Sequence, residues 1–197
     1  MSHHSIDESV DFGDMGSYER LDLPGLEPAT DGGPLLLSPG ALEALSRRAF
    51  SALSFRLPVE QVEGIAGILA DPAASEADRF VAAELLRNAA IAAEGILPLC
   101  QDTGTAVAYA WKGSAVLTDG RDEEEIAAGA KAAYAEHRLR ASQLGPRGFI
   151  AEANTGDNLP ALVDIRAVPG PEYRICFAAK GGGSANRTSL SMESPAL

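Results

Sequence analysis

Apolar residues recur at helical spacing through the first half of the chain and shift to shorter, β-rich runs in the second. Leu42, Leu45, Ala49, Phe50 and Leu53 mark one face of a helix opened by Ser38-Pro39, with serine as N-cap and proline at the first helical position. Pro58 starts a second helix carrying Val62, Ile65, Ile68 and Leu69, and Asp71-Pro72 stops it. Ser75 caps a third, with Asp78 completing a capping box, Phe80, Val81, Leu85 and Leu86 as the apolar face, and Gly95 as the end. Residues 1–33 show no sustained period and are rich in Asp, Glu, Gly, Ser and Pro. They predict a mobile arm ahead of a folded part that begins near Pro34.

Beyond residue 105 the pattern changes. Val107, Tyr109 and Trp111 alternate as on a strand, and Asp122 caps a further helix whose first turn, Glu123-Glu124-Glu125, complements the positive end of the helix dipole. Residues 160–168 and 173–179, joined by Pro169-Gly170-Pro171-Glu172, predict a β-hairpin. Helices first and strands later imply an α/β (α+β) domain, its helical N-terminal half packed on a mixed β-sheet.

Composition narrows the function classes. The 197 residues are 46% hydrophobic and 22% charged, ordinary for a globular domain, and the formal charge is −12. That charge, without clustered Lys and Arg, argues against a nucleic-acid surface. No run reaches the ~20 apolar residues of a membrane span, and the acidic start lacks the form of a secretory signal. A cytoplasmic protein is expected. Two cysteines, Cys100 and Cys176, are too few for a disulfide framework. Cys176, between Ile175 and Phe177, reads as a buried structural thiol. His3-His4 reads as a surface pair in the arm.

Four clusters carry candidate chemistry. In residues 97–105, LPLCQDTGT, Cys100, Gln101 and Asp102 put a thiol, an amide and a carboxylate on one turn, enough for one metal ligand and two substrate contacts. Arg140, in Leu139-Arg140-Ala141-Ser142-Gln143, is either an exposed residue at a helix end or a bidentate clamp for a carboxylate. Asn154-Thr155-Gly156-Asp157-Asn158 reads as turns before the next strand. Lys180-Gly181-Gly182-Gly183-Ser184 is either a flexible turn or a nest of backbone amides for an anion, with Lys180 adding charge. Its lysine precedes the glycines, the reverse of a P-loop.

Taken in order, LPLCQDTGT, the Leu139-Arg140-x-Ser142-Gln143 segment, Asn154-Thr155-Gly156-Asp157-Asn158-Leu159-Pro160 and the stretch from Ala179 through the triple glycine to Arg187-Thr188 resemble the class I, iron–sulfur-dependent fumarate hydratases from about Pro34 to the last residue. The resemblance implies a hydro-lyase that interconverts fumarate and L-malate through a 4Fe–4S cluster with an open iron. It implies Cys100 as one cluster ligand, Gln101, Asp102, Arg140, Lys180 and Gly183 as substrate contacts, and a catalytic role for Asp102. The other two cysteine ligands, the proton-abstracting base and further basic contacts would lie outside this chain, so residues 34–197 resemble the family's N-terminal domain. On that resemblance the chain would be inactive alone and part of a homodimer with a C-terminal half. A tartrate dehydratase-like hydro-lyase and a non-catalytic dicarboxylate-binding module are the alternatives.

Overall fold

Local signals place the first helices where the periodicity predicts them. The structure is a computed structural model describing residues 21–23, 25–27, 33–181 and 189–192, with helices α1 (Ala41–Phe55), α2 (Val59–Ala70) and α3 (Glu76–Ala93). At α3 the Ser75 hydroxyl accepts from the Asp78 backbone N–H at 3.1 Å, and the Asp78 carboxylate accepts from the Ser75 N–H at 3.0 Å. Both halves of the capping box are therefore made. Gly95, at φ +79°, supplies the left-handed residue after the helix.

The start of α1 differs from expectation. Ser38 does not cap it with its side chain, because Gly40, at φ +86°, precedes the first helical residue. The exposed amides at this end are met by Glu125, whose Oε1 accepts from Gly40 N–H at 2.7 Å and whose Oε2 accepts from Leu42 N–H at 3.2 Å. Glu125 belongs to α4 (Asp122–Glu136). One carboxylate of the acidic run thus serves the dipole of another helix. Asp122 is likewise not the cap of α4 but its first residue. Its carboxylate accepts from Tyr173 Oη (2.8 Å) and Thr118 Oγ1 (2.5 Å) and pairs with Lys112 Nζ (2.9 Å).

The sheet also departs from the hairpin expectation. Strands β3 (Thr105–Gly113), β7 (Leu162–Val168) and β8 (Tyr173–Lys180) pair in the order β7-β3-β8. β7 runs parallel to β3 and β8 antiparallel to it, so β3 occupies the place between the two predicted hairpin arms. The turn at 169–172 instead wraps the end of β3: Gly113 N–H donates to Glu172 O at 2.8 Å, and Ser114 N–H to Val168 O at 2.8 Å.

One face of this mixed sheet meets α1 and α4. Ala106, Ala108 and Ala110 of β3 are buried there, since small residues let the helices approach closely, while Tyr109 lies on the open face. Phe50 sits at the centre, edge-on to Tyr134 (5.7 Å) and Phe177 (5.6 Å). Gly129 allows the α1–α4 contact, because a methyl group in place of its hydrogen would come within 2.4 Å of Glu43 O. Since Ile175 and Phe177 pack on this core, alternation turns Cys176 outward, where it is exposed opposite Tyr109. The buried structural role read for Cys176 is therefore corrected.

Short elements complete the fold. β1 (Leu26–Glu27), β2 (Leu35–Leu37) and β4 (Val116–Leu117) form a small sheet, so the segment read as an arm contains a paired strand. β5 (Leu144–Pro146) and β6 (Glu152–Asn154) form a two-stranded ladder. On α3, Phe80, Val81 and Leu85 are exposed, and only Ala82 and Ala92 of that helix are buried. The expected apolar stripe is present but largely uncovered, with Leu86 alone partly buried. Among the described residues no helix is long and apolar enough to cross a membrane.

Candidate functional site

The Cys100 loop is held between α1 and the edge of the sheet. Leu99 N–H donates to Ser54 O at 2.8 Å, and the Asn88 side chain donates to Leu99 O at 3.1 Å. After the turn, Gly104 takes φ +61° beneath β8. A methyl group there would lie 1.9 Å from Lys180 O, so only glycine lets the loop pass. Cys100 is exposed, and the Asp102 N–H donates to its sulfur at 3.4 Å.

Arg140 comes to this loop from the extended segment after α4, not from a helix end. Its backbone N–H donates to Gln101 O at 3.1 Å, and Asp102 and Arg140 form an isolated parallel bridge. The guanidinium lies 3.8 Å from Asp102 Oδ1, with the arginine side chain exposed and the carboxylate partly covered. Thr103, fully buried, donates from Oγ1 to Arg140 O at 3.0 Å. Its single hydroxyl proton is thereby used, so Ser142 Oγ is the donor in the 3.0 Å Thr103–Ser142 contact.

A third segment secures the second. Asn158, 2% exposed and at φ +59°, accepts on Oδ1 from the N–H groups of Ser142 (2.8 Å) and Gln143 (3.2 Å) and donates from Nδ2 to Arg140 O (3.2 Å). Asn154 adds a bond from its amide to Ala141 O at 2.7 Å. Residues read from sequence as plain turn formers thus clamp the strip that carries Arg140. Asp157 accepts from Lys131 at 3.0 Å, and that bond, with the nearby positive charge, holds its carboxyl below the ordinary range.

Together these elements enclose a cleft of about 150 Å³ lined by Cys100, Asp102, Thr103, Tyr134, Leu139 and Gly181, among others. Of the residues proposed from sequence, Cys100 and Asp102 line it and Arg140 stands beside Asp102. Gln101 is exposed on the same loop, and Lys180 ends β8 opposite Thr105. Gly183 lies outside the described residues. Tyr134, Thr103 and Asn158 were not singled out as site residues. The available signal at Asn158 was its side chain, the one that best tolerates positive φ while donating and accepting at once.

As a donor set for an iron–sulfur group, the loop offers one sulfur. Among the described residues no three His, Cys, Asp or Glu side chains converge as metal ligands. Clusters of this kind take several thiolates, so Cys100, with an N–H aimed at its sulfur, fits one corner of such a group.

A family model for fumarate hydratase, described as "Fumarate hydratase (Fumerase)", matches residues 43–197. The chain belongs to that family. It is 50% identical over 163 residues to the aerobic class I fumarate hydratase of Escherichia coli K12, covering 83% of this chain and 30% of that protein. It is 47% identical over 195 residues to fumarate hydratase 2 of Leishmania major, covering 99% of this chain and 33% of that one. The mitochondrial fumarate hydratase 1 of Leishmania major is 41% identical over 163 residues. The chain therefore spans about a third of the length of these relatives.

Proposed function

We propose that this chain supplies part of the active site of a fumarate hydratase, which hydrates fumarate reversibly to L-malate. The observation that carries the reading is the convergence of separate segments on the Cys100–Asp102 loop, joined by the Arg140 N–H to Gln101 O bond and by the bonds from Thr103 and Asn158 to Arg140 O. The names of the relatives supply the substrate.

In this reading the exposed guanidinium of Arg140 takes one substrate carboxylate, in the paired geometry that arginine offers and lysine does not. When the carbon beside a carboxylate loses its proton, negative charge builds on that carboxylate, and a fixed cation stabilises it as it forms. Asp102 orients the substrate hydroxyl and moves its proton beside the Arg140 guanidinium. Gln101 and Lys180 add polar contacts from the rim, and the Gly183 N–H adds one from the glycine loop. Cys100 would hold one iron of a 4Fe–4S cluster, a group that when bound would supply Lewis acidity. One thiolate does not retain such a cluster, so the chain alone is inactive.

The test pairs this chain with a polypeptide corresponding to the rest of the Escherichia coli relative, reconstitutes both anaerobically with iron and sulfide, and follows fumarate loss. Turnover should appear only with both polypeptides, vanish in Cys100→Ser, and fall about 100-fold in kcat/KM in Arg140→Ala. Turnover by the chain alone, or an unaffected Cys100→Ser pair, refutes the assignment.

A further inference from the structure

Helix α3 is long and apolar but buries little. Of its 18 residues only Ala82 and Ala92 are buried, whereas Phe80, Val81 and Leu85 are exposed, Val81 by 53%. Val81, Leu85 and Asn88 stand at i, i+4 and i+7, so they form one row along the helix. Asn88 brings that row to the candidate site, because its side-chain amide donates to Leu99 O at 3.1 Å, next to Cys100. Ile96 and Leu97, between α3 and the Cys100 loop, are exposed as well, Leu97 by 61%. α2 packs on α3 without covering the row, and none of its own residues is buried. Large apolar side chains grouped and open to water mark a surface that another polypeptide meets.

We propose that this row, with Ile96 and Leu97, docks the polypeptide corresponding to the part of the fumarate hydratases that this chain does not match. The inference rests on the proposed function in taking that polypeptide as the partner. Two observations select it. The chain spans 30% of the Escherichia coli relative and 33% of a Leishmania major one, so most of the family's polypeptide lies outside the matched third. The face also adjoins a site that is still open, since Cys100, Gln101 and Arg140 are exposed, whereas a site for a small substrate buries most of it. Whatever closes over the Cys100 loop comes to rest beside Leu97 and the end of the α3 row. A second copy of this chain suits the face less, because two chains of formal charge −12 repel each other.

The test co-expresses this chain, tagged, with the unmatched remainder of the Escherichia coli K12 relative and measures capture of the untagged partner. Val81→Glu and Leu97→Glu should each lower capture at least tenfold, because each puts a carboxylate into an apolar contact. Both positions are exposed, so the melting temperature of each variant chain alone should stay within about 2 °C of the unsubstituted one. Hydroxyl-radical footprinting of the unsubstituted pair should show Phe80, Leu85 and Leu97 protected on assembly, and it decides the matter where a variant melts lower. Capture that either variant leaves unchanged overturns the inference, as do side chains left unprotected or an unsubstituted pair that does not associate. Self-association of this chain that the variants abolish, with capture of the partner unchanged, assigns the face to a second copy and overturns it too. Fumarate turnover by the same pair separates the two readings. An active pair whose capture the variants leave unchanged defeats the inference alone, and a pair that associates through this face without turnover defeats the proposed function alone.

Discussion

Replacing Asn158 tests whether Arg140 is held by geometry built elsewhere in the chain. Its carboxamide accepts two backbone N–H groups and donates to one carbonyl, and it is nearly inaccessible to water. In Asn158→Ala the Arg140 carbonyl keeps its bond from Thr103, but the Ser142 and Gln143 N–H groups lose their acceptor. At about 1 kcal/mol each, and somewhat more where water does not replace the acceptor, that loss is roughly 2–3 kcal/mol. Alanine at φ +59° adds about 1 kcal/mol of left-handed strain. The expected loss is therefore about 3–4 kcal/mol, a large share of the stability of an ordinary domain.

Asn158→Gly separates the two contributions, since glycine accepts the positive φ and forfeits only the bonds. It should lie about 1 kcal/mol above Asn158→Ala in urea unfolding at equal m-value. Both variants should also weaken fumarate binding by calorimetry, because the strip carrying Arg140 is no longer clamped from its other side by the Asn158 side chain. A loss below about 0.5 kcal/mol for Asn158→Ala would refute the clamp. Full destabilisation with unchanged fumarate affinity would show that the clamp serves the fold and that Arg140 does not hold the ligand.

Three further outcomes follow from the packing. Glu125→Ala should cost about 2–3 kcal/mol in thermal or urea unfolding, because it leaves the Gly40 and Leu42 N–H groups at the start of α1 without an acceptor. Asp122 is pushed up by burial but more strongly down by bonds from Thr118, Lys112 and Tyr173, so its folded pKa lies below its ordinary value. The stability it contributes is present above about pH 4 and is lost as pH falls through the lower folded pKa, and Asp122→Asn should flatten that acid limb of a stability–pH curve. Cys176 should react with a maleimide under native conditions and Cys176→Ser should shift stability by less than about 0.5 kcal/mol, whereas Phe177→Ala on the inward face should cost about 3 kcal/mol or more.

The parts of this fold that could be read from sequence are those whose physics is local. Ser75 and Asp78 lie three residues apart and cap α3 as written, and Gly95 ends it by a conformation that few other residues adopt. The Cys100 loop stands out because a thiol, an amide and a carboxylate share one short turn. The hairpin misled because proline and glycine at 169–171 report that the chain reverses, and say nothing of whether the two strands touch. β3, nearly fifty residues earlier at its end, pairs with both. Cys176 is a different case, since strand alternation alone, applied to Ile175 and Phe177 as core residues, turns it outward.

What was least legible is what makes the cleft work. Glu125 reaches α1 across 83 residues, Asn158 reaches Arg140 across 18, and Thr103 reaches it across 37. Each has an unremarkable local role, as an acid in a first helical turn, an asparagine in a turn, or a threonine before glycine. Their function arises from the atoms they meet, and those atoms are chosen by the packing of α1, α4 and the sheet. A motif can therefore identify candidate contact residues while leaving the residues that position them hidden.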